Sequence, residues 1–293
     1  FIFEDSKADP RQAVTAIQRL ISQHRVTAII GDMFSSTTLA IAPIAQQEGV
    51  LLLTPTAADE QIPATGDHVF SIYPSASVEG QFVANAIEEA KASRVAVLYQ
   101  NQTATKAIAD AFASAIRERG GTVVLVESIS ERPSDYRSLL EKTLALNPTT
   151  VFISAYRDPV ASLIILGREL GADTFFATQS TLYDEKALSD YPGKLDGVLL
   201  SGPFFDDKNT DQTTQEFVAA YKERHGSVPT VWAAYGYDAA AILLQALEAE
   251  RSNKTELHTY LAKLDFDGLT GHTRIDEGRR IYKQMALFSI EGN

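Results

Sequence analysis

The chain has 293 residues, of which 45% are hydrophobic, and this is enough apolar material for one large domain or two medium ones. Its net charge of −12, with no basic stripe, argues against nucleic acids and anionic membranes as partners. The absence of cysteine excludes disulfides, zinc–thiolate sites and thiol nucleophiles, and no apolar run approaches the roughly 18 residues of a membrane span.

Short apolar runs alternate with helical patterns along the chain, which opens on the strand-like segment Phe1-Ile2-Phe3. The predicted strands are Val26–Ile30, Val50–Leu53, Arg94–Tyr99, Thr122–Val126, Thr150–Ser154, Phe175–Thr178 and Gly197–Ser201. The predicted helices are Pro10–His24, Leu39–Gln47, Ser77–Ala92, Thr105–Arg119, Asp135–Leu144, Pro159–Leu170, Thr213–Glu223 and Ala233–Glu250. This alternation predicts an α/β fold with a parallel sheet that is covered by helices on both faces.

The alternation restarts near Tyr73–Ser75 and is interrupted again near Ser201–Pro203 and Gly268–Gly271. We therefore predict two doubly wound α/β lobes, joined by three short crossings that form a hinge around a ligand cleft. Lobe one comprises residues 1–74 and 203–268, and lobe two comprises residues 75–202 and 269–293.

The segment Gly31–Thr38 is the first candidate for a ligand site. It joins a predicted strand to a predicted helix and carries four consecutive hydroxyl residues. The free N–H groups and the dipole of a helix start favour anions, and open α/β sheets bind ligands at the carboxyl ends of their strands. A second hydroxyl-rich strand end, Leu53–Asp59, follows. The alternative is that Ser35 or Ser36 only caps the helix.

Polar side chains also follow three later strands. Tyr156 follows Thr150–Ser154, and an aromatic side chain there can cover a ligand and supply one hydroxyl. The ends Thr178–Thr181 and Tyr99–Thr103 are polar but lack an ionisable pair, which suits binding better than acid–base chemistry. Asp158, which precedes Pro159, is predicted to be a helix N-cap.

Catalytic and metal motifs are absent from the sequence. The five histidines do not occur at helical spacing from one another, and no His-Glu-x-x-His, Gly-x-Ser-x-Gly or nucleotide-binding glycine motif is found. We therefore expect no cofactor, no metal and no enzymatic activity. Trp232 and Tyr235, at i and i+3 of a helix, are predicted to belong to the core.

Several segments, in this order and spacing, resemble the periplasmic binding protein family of the leucine/isoleucine/valine-binding type, which has the type 1 periplasmic-binding fold. They are Asp5–Val14, Gly31 with Ser35–Thr38, Ala42–Ala45, Glu48–Val50, Thr54–Ala57, Val69–Phe70 with Pro74–Ser75, Tyr235–Ala239 and Phe266–Gly271. In that family the first strand and helix of lobe one would precede Phe1, and they are absent from this chain.

The resemblance implies a set of ligand-binding residues, with Ser35 holding a ligand carboxylate at a helix start. The set is Ser35, Ser36, Thr56, Ala57, Ala58, Gln102, Tyr156, Thr178 and Ser180.

Three positions depart from the family pattern. Ala58 stands where amino-acid binders carry threonine, a second aromatic falls near Ala104, and the acid that takes the ligand ammonium falls near the uncharged Ser180. An ammonium without a carboxylate partner is costly to bury. Either another acid substitutes, or the ligand is a carboxylate without an α-amino group. The candidate acids are Asp59, Asp158 and Asp184.

The resemblance implies the solute-binding protein of a branched-chain amino-acid-type ABC transporter. Such a protein captures an amino acid or a related small carboxylate by lobe closure and is then recognised by a membrane permease. We expect a monomer in the periplasm or at the cell surface. The alternative is an extracytoplasmic ligand-sensing domain of a receptor or regulator with the same fold. An enzyme on this fold is a third possibility, but it needs an acid–base pair that the sequence lacks.

Overall fold

The computed structural model describes residues 1–182, 190–253, 256–276, 279 and 281–291. They group into two compact units. The first unit comprises Phe1–Ser75 and Pro203–Gln284, and the second comprises Ala76–Gly202 and Met285–Asn293.

The first part of the first unit alternates strands and helices around a small parallel sheet in the order β1-β2-β3. Its elements are α1 (Pro10–Ser22), β1 (Ala28–Ile30), α2 (Ser35–Glu48), β2 (Leu51–Thr54), α3 (Gln61–Ala64) and β3 (Val69–Ser71). All four residues of β2 are buried, as expected for the central strand of a sheet that is covered on both faces.

The second unit is built on one six-stranded sheet, in the order β12-β8-β7-β6-β4-β5. Its elements are α4 (Ala76–Ala86), α5 (Glu89–Ala92), β4 (Arg94–Gln100), α6 (Thr103–Glu118), β5 (Thr122–Ile129), α7 (Tyr136–Leu144), β6 (Thr150–Ser154), α8 (Arg157–Glu169), β7 (Phe175–Thr178), β8 (Leu199–Pro203) and, after the return of the chain, β12 (Met285–Ser289). The pairs from β5 through β8 are parallel.

The rest of the first unit adds helices and a second sheet, which is antiparallel in the order β11-β10-β9. These elements are α9 (Gln212–His225), α10 (Val231–Asn253), α11 (Leu257–Leu261), β9 (Asp265–Gly268), β10 (Gly271–Ile275) and β11 (Ile281–Lys283). Tyr235 of α10 is fully buried, in agreement with its predicted place in the core, whereas Trp232 is partly exposed.

Local sequence signals explain where these helices begin and end. Asp9 caps α1 by accepting the Gln12 N–H at 2.9 Å, and Pro10 occupies the first turn. Helix α2 ends at Gly49, whose φ of 64° lies in the left-handed region that glycine adopts without a Cβ penalty.

The α/β class and the parallel sheet predicted from the sequence are confirmed, but several details differ. Phe1–Phe3 forms no strand, although its alternating aromatic residues resemble one. The single helix predicted over Ser77–Ala92 is two helices, because the chain leaves helical geometry at Ile87 and Glu88.

The third boundary between the units also differs from the predicted crossing at residues 268–271. Residues 269–284 group with the first unit, because β9 and β10 form a hairpin at Gly268 and Gly271 that keeps the chain on the same sheet. The boundary falls instead after Gln284, between β11 and β12.

Among the described residues, no helix combines the length and the apolar character needed to cross a membrane. The longest helix, α10, has 23 residues but carries several charged ones.

Candidate functional site

The start of α2 in the first unit contains the strongest predicted site residue. Ser35 is the first helical residue and is 6% exposed, whereas Ser36 points to solvent. The N-cap is Phe34, whose side chain cannot accept a hydrogen bond. The backbone N–H groups of the first turn have no acceptor inside a helix, so this end of α2 offers donors and partial positive charge.

Not all of the predicted hydroxyls are available to a ligand. The buried Thr37 and Thr38 hydroxyls donate to the Phe34 carbonyl at 2.9 and 2.8 Å. Thr56 donates to the Met33 carbonyl at 2.9 Å. The four consecutive hydroxyls of the sequence therefore divide into two that orient the loop and two serines that can serve other partners.

One carbonyl oxygen joins the two loops that follow β1 and β2. The Asp32 oxygen accepts a hydrogen bond from the Thr54 hydroxyl at 2.6 Å. The Thr38 hydroxyl, which donates to Phe34, shares its hydrogen with the same Asp32 oxygen at 3.2 Å. The Thr54 hydroxyl oxygen also accepts the Ala57 N–H at 3.2 Å. The loop before α2 and the loop after β2 are thus held together through side chains that the sequence places at both strand ends.

The loop after β2 brings Ala57 and Ala58 beside the start of α2. The side-chain oxygen of Ser35 accepts the Ala58 N–H at 3.2 Å, and Ser71 donates to the Ala57 carbonyl at 2.9 Å. Both alanines are buried. Asp59 is 7% exposed and accepts the Gln61 N–H at 2.8 Å, just before α3.

In the second unit, three predicted residues follow three neighbouring strands. Gln102 follows β4 and is exposed, Tyr156 follows β6, and Ser180 follows β7. The Tyr156 N–H donates to the Gln100 side chain at 3.1 Å. Burial raises the pKa of the Tyr156 hydroxyl, and the negative charge of Glu79 raises it further, so this phenol stays protonated at neutral pH.

The prediction that Asp158 is the N-cap of α8 is wrong. The helix begins at Arg157 and its cap residue is Tyr156, so Asp158 lies inside the first turn, where an acidic side chain also favours the helix dipole. Pro159 lies in the first turn as predicted. Asp184, the last of the candidate acids, lies outside the described residues.

Thr178 and Ser180 are both buried at the end of β7. Thr178 donates to the Ile153 carbonyl at 2.7 Å, so its hydroxyl ties β7 to β6. The Ser180 N–H donates to a side-chain oxygen of Glu79 at 2.9 Å.

Glu79 is a residue that the sequence reasoning missed. It lies in the first turn of α4, is 1% exposed, and also accepts the Ser201 hydroxyl at 2.6 Å. The signal was present in the sequence, because Glu79 is the only acid in α4. An acidic residue in the first turn of a helix is, however, most simply explained by its favourable interaction with the helix dipole.

An apolar cavity of about 770 Å³ occupies another part of the first unit. Phe1, Phe3, Ala28 and Leu243 are among its lining residues, and none of the nine predicted site residues lines it. Across the described part of the chain, no group of three or more His, Asp or Glu side chains could hold a metal ion.

The chain matches a known protein family and several individual proteins. The model of a family described as periplasmic binding protein matches residues 1–293. An amino acid binding protein of Pseudomonas aeruginosa is 26% identical over 204 residues, which are 67% of this chain and 54% of that protein. A Leu/Ile/Val/Thr-binding protein of Salmonella typhimurium is 26% identical over 280 residues, which are 93% of this chain and 74% of that protein.

The fold has solved counterparts as well. A leucine binding protein, LivK, from Thermotoga maritima superposes with a TM-score of 0.86 at 25% identity, covering 99% of this chain and 84% of that one. Sequence and architecture therefore agree, and the chain belongs to the periplasmic binding protein family.

Proposed function

We propose that this protein is the extracytoplasmic solute-binding protein of a branched-chain amino-acid-type ABC transporter, and that it captures an amino acid or a related small carboxylate. We further propose that it acts as a monomer, in the periplasm or at the cell surface, and delivers its ligand to a membrane permease. The names of its relatives support the substrate class, since they bind leucine, isoleucine, valine and threonine.

The start of α2 is the observation that carries this proposal. The Ser35 oxygen accepts one hydrogen bond from Ala58, which leaves the single hydroxyl hydrogen of Ser35 free to donate. Together with the first-turn N–H groups, this hydroxyl can bind both oxygens of a carboxylate. A charge-assisted bond of this kind is roughly twice as strong as a neutral one.

The remaining contacts are proposed for the second unit, from Gln102, Tyr156, Thr178 and Ser180. The protonated Tyr156 hydroxyl can donate to a ligand or accept from it. Thr178 contributes by fixing the end of β7, because its own hydroxyl is engaged with Ile153. The lobe closure that the resemblance implies stays a prediction, and small-angle scattering with and without ligand tests it.

A ligand screen by thermal unfolding tests the proposal. Free L-leucine, L-isoleucine, L-valine, L-threonine and small aliphatic and aromatic carboxylates are each added to the purified chain. A ligand at about 100 times its dissociation constant adds roughly 2.7 kcal/mol to the free energy of unfolding. A shift with at least one member of the panel is the expected result. The proposal is contradicted if no ligand shifts the unfolding temperature and calorimetry detects no binding.

A further inference from the structure

The carboxylate of Glu79 is buried among neutral groups. Its side chain is 1% exposed, and it accepts hydrogen bonds from the Ser180 N–H at 2.9 Å and from the Ser201 hydroxyl at 2.6 Å. Both donors are uncharged. They satisfy the hydrogen-bonding capacity of one oxygen, but they do not neutralise the negative charge.

A buried carboxylate is costly unless a positive charge compensates it. Among the Lys, Arg and His side chains that the structure describes, none forms an ion pair with Glu79. The dipole of α4 contributes partial positive charge, because Glu79 lies in its first turn. This interaction is weaker than the effective penalty for burying an ion.

The field of this charge reaches the part of the second unit where ligand contacts are proposed. Glu79 bonds directly to the backbone of Ser180, and its charge helps to raise the pKa of Tyr156. Ser180 itself adds no charge at the end of β7. In its ionised form, Glu79 therefore places a negative charge beside the ends of β6 and β7, in surroundings of low dielectric constant where it is weakly screened.

We propose that Glu79 determines ligand specificity in the second unit, because its buried carboxylate favours a ligand that carries an ammonium group near Tyr156 and Ser180. This inference rests on the proposed function and refines it, since it selects amino acids over carboxylates that lack an amino group. The charge is supplied from α4, not from the loop after β7, where the sequence has Ser180.

Two ligand pairs test this inference on the purified full chain. They are L-leucine with 4-methylpentanoate and L-valine with 3-methylbutanoate, and the members of each pair differ only in the amino group. Titration calorimetry compares the wild type with Glu79→Gln, which keeps an oxygen to accept the two hydrogen bonds but removes the charge. Glu89→Gln is the matched control, because Glu89 is an exposed acid in the first turn of α5.

We expect Glu79→Gln to lower the affinity for the amino acid by at least 10-fold. The affinity for the carboxylate that lacks the amino group should change by less than 2-fold. Glu89→Gln should change neither. An equal loss for both members of a pair, or no loss for either, overturns the inference and assigns Glu79 a structural role.

The wild type alone supplies a second criterion, should Glu79→Gln fail to fold. If a carboxylate binds as tightly as its amino acid, the inference is overturned while the proposed function stands. If no ligand of either kind binds, both are overturned. If the wild type prefers the amino acid by more than 10-fold, Asp59→Asn decides which acid is responsible, because Asp59 is the other buried candidate. A preference that persists in this variant supports the inference, and one that disappears overturns it.

Discussion

The side-chain oxygen of Ser35 accepts a hydrogen bond from the backbone N–H of Ala58 at 3.2 Å. The bond joins the first residue of α2 to the loop after β2, 23 positions further along the chain. It fixes the rotamer of a buried hydroxyl, so that its hydrogen is directed away from Ala58. A side chain that only capped its own helix would accept a bond from the first turn instead.

The Ser35→Ala variant should lose ligand affinity by about 10-fold to 100-fold, because the removed hydroxyl donates to a charged carboxylate and such bonds are worth roughly 1.5–3 kcal/mol. Stability should fall by only about 1 kcal/mol, through the lost Ala58 bond. Calorimetry and chemical unfolding measure the two effects separately. Ser22→Ala is the control, since this exposed hydroxyl at the end of α1 donates to the Gln18 carbonyl, and it should change affinity by less than 3-fold. Equal losses in the two variants would contradict the assignment.

Asp238→Asn should destabilise the first unit. The Asp238 side chain is fully buried on α10 and accepts the N–H groups of Leu269 and Thr270 at 2.8 and 2.9 Å, together with the Thr270 hydroxyl. An asparagine turns an amide N–H₂ toward one of these donors, and the free energy of unfolding should fall by about 2–4 kcal/mol. Urea denaturation measures this loss.

The control for this variant is Asp211→Asn. Asp211 caps α9 through the Thr214 N–H at 2.9 Å, and asparagine is an equally good cap residue. Stability should therefore stay within about 0.5 kcal/mol of the wild type. A loss at Asp211 as large as that at Asp238 would mean that removal of charge, not the geometry of the buried donors, dominates.

Stability should increase with pH near pH 8 because of Lys283. Burial lowers the pKa of its ammonium to about 8, against the opposing effect of Asp238, and the amine donates to Thr270 and Thr273 at 2.6 Å. Between this folded-state pKa and the higher unfolded-state value, the unfolded chain binds more protons, so the free energy of unfolding rises with pH. The rise should be on the order of 2 kcal/mol between pH 7.5 and 9.5.

Urea unfolding across this pH range tests the assignment with the Lys283→Met variant, which should remove most of the rise. Lys106→Met serves as control, because Lys106 is exposed and its pKa is raised through its bond to Asp110. This variant should keep the slope of the wild type. A slope that persists in Lys283→Met would assign the pH dependence to another group.

Gly80→Ala should disturb the packing of α4 against α6. A Cβ at this position would lie 2.3 Å from the Ile108 carbonyl oxygen and 2.9 Å from the Phe112 nitrogen, both of which are backbone atoms. We expect a loss of about 1–3 kcal/mol in the free energy of unfolding. Gly236→Ala, inside α10 with no atom within 4 Å of the added Cβ, should instead gain about 0.5–1 kcal/mol. Similar changes in both variants would show that helix propensity outweighs the contact.

Uniform burial made some strands predictable from the sequence, although the buried strand β3 was missed and β5 was predicted despite its mixed burial. The strand Thr150–Ser154 has the predicted bounds, because all five of its residues are buried and apolar or small. Strands β9 to β11 were missed because polar residues such as Asp265, Asp267 and His272 interrupt their apolar pattern. In the sequence, such a segment looks the same as a loop. Their pairing depends on a partner strand that the local sequence does not specify.

The candidate site was predicted unevenly for a related reason. Ser35 could be recognised because a helix start has a local signature. The role of Glu79 could not be recognised, since its partners Ser180 and Ser201 lie more than 100 residues away along the chain. Hydroxyl residues such as Thr38 and Thr56 look the same in sequence whether they serve a ligand or a backbone carbonyl, and only the folded geometry distinguishes them.

The shared acceptor at Asp32 has a consequence for binding kinetics and specificity. Because Thr38 and Thr54 both donate to this single oxygen, the loops that surround Ser35 are ordered by folding itself. The conformational entropy of these loops is therefore lost before a solute arrives and does not weaken its capture. Association in the first unit should then need no slow rearrangement, and differences in residence time between solutes should reflect the functional groups that each one carries.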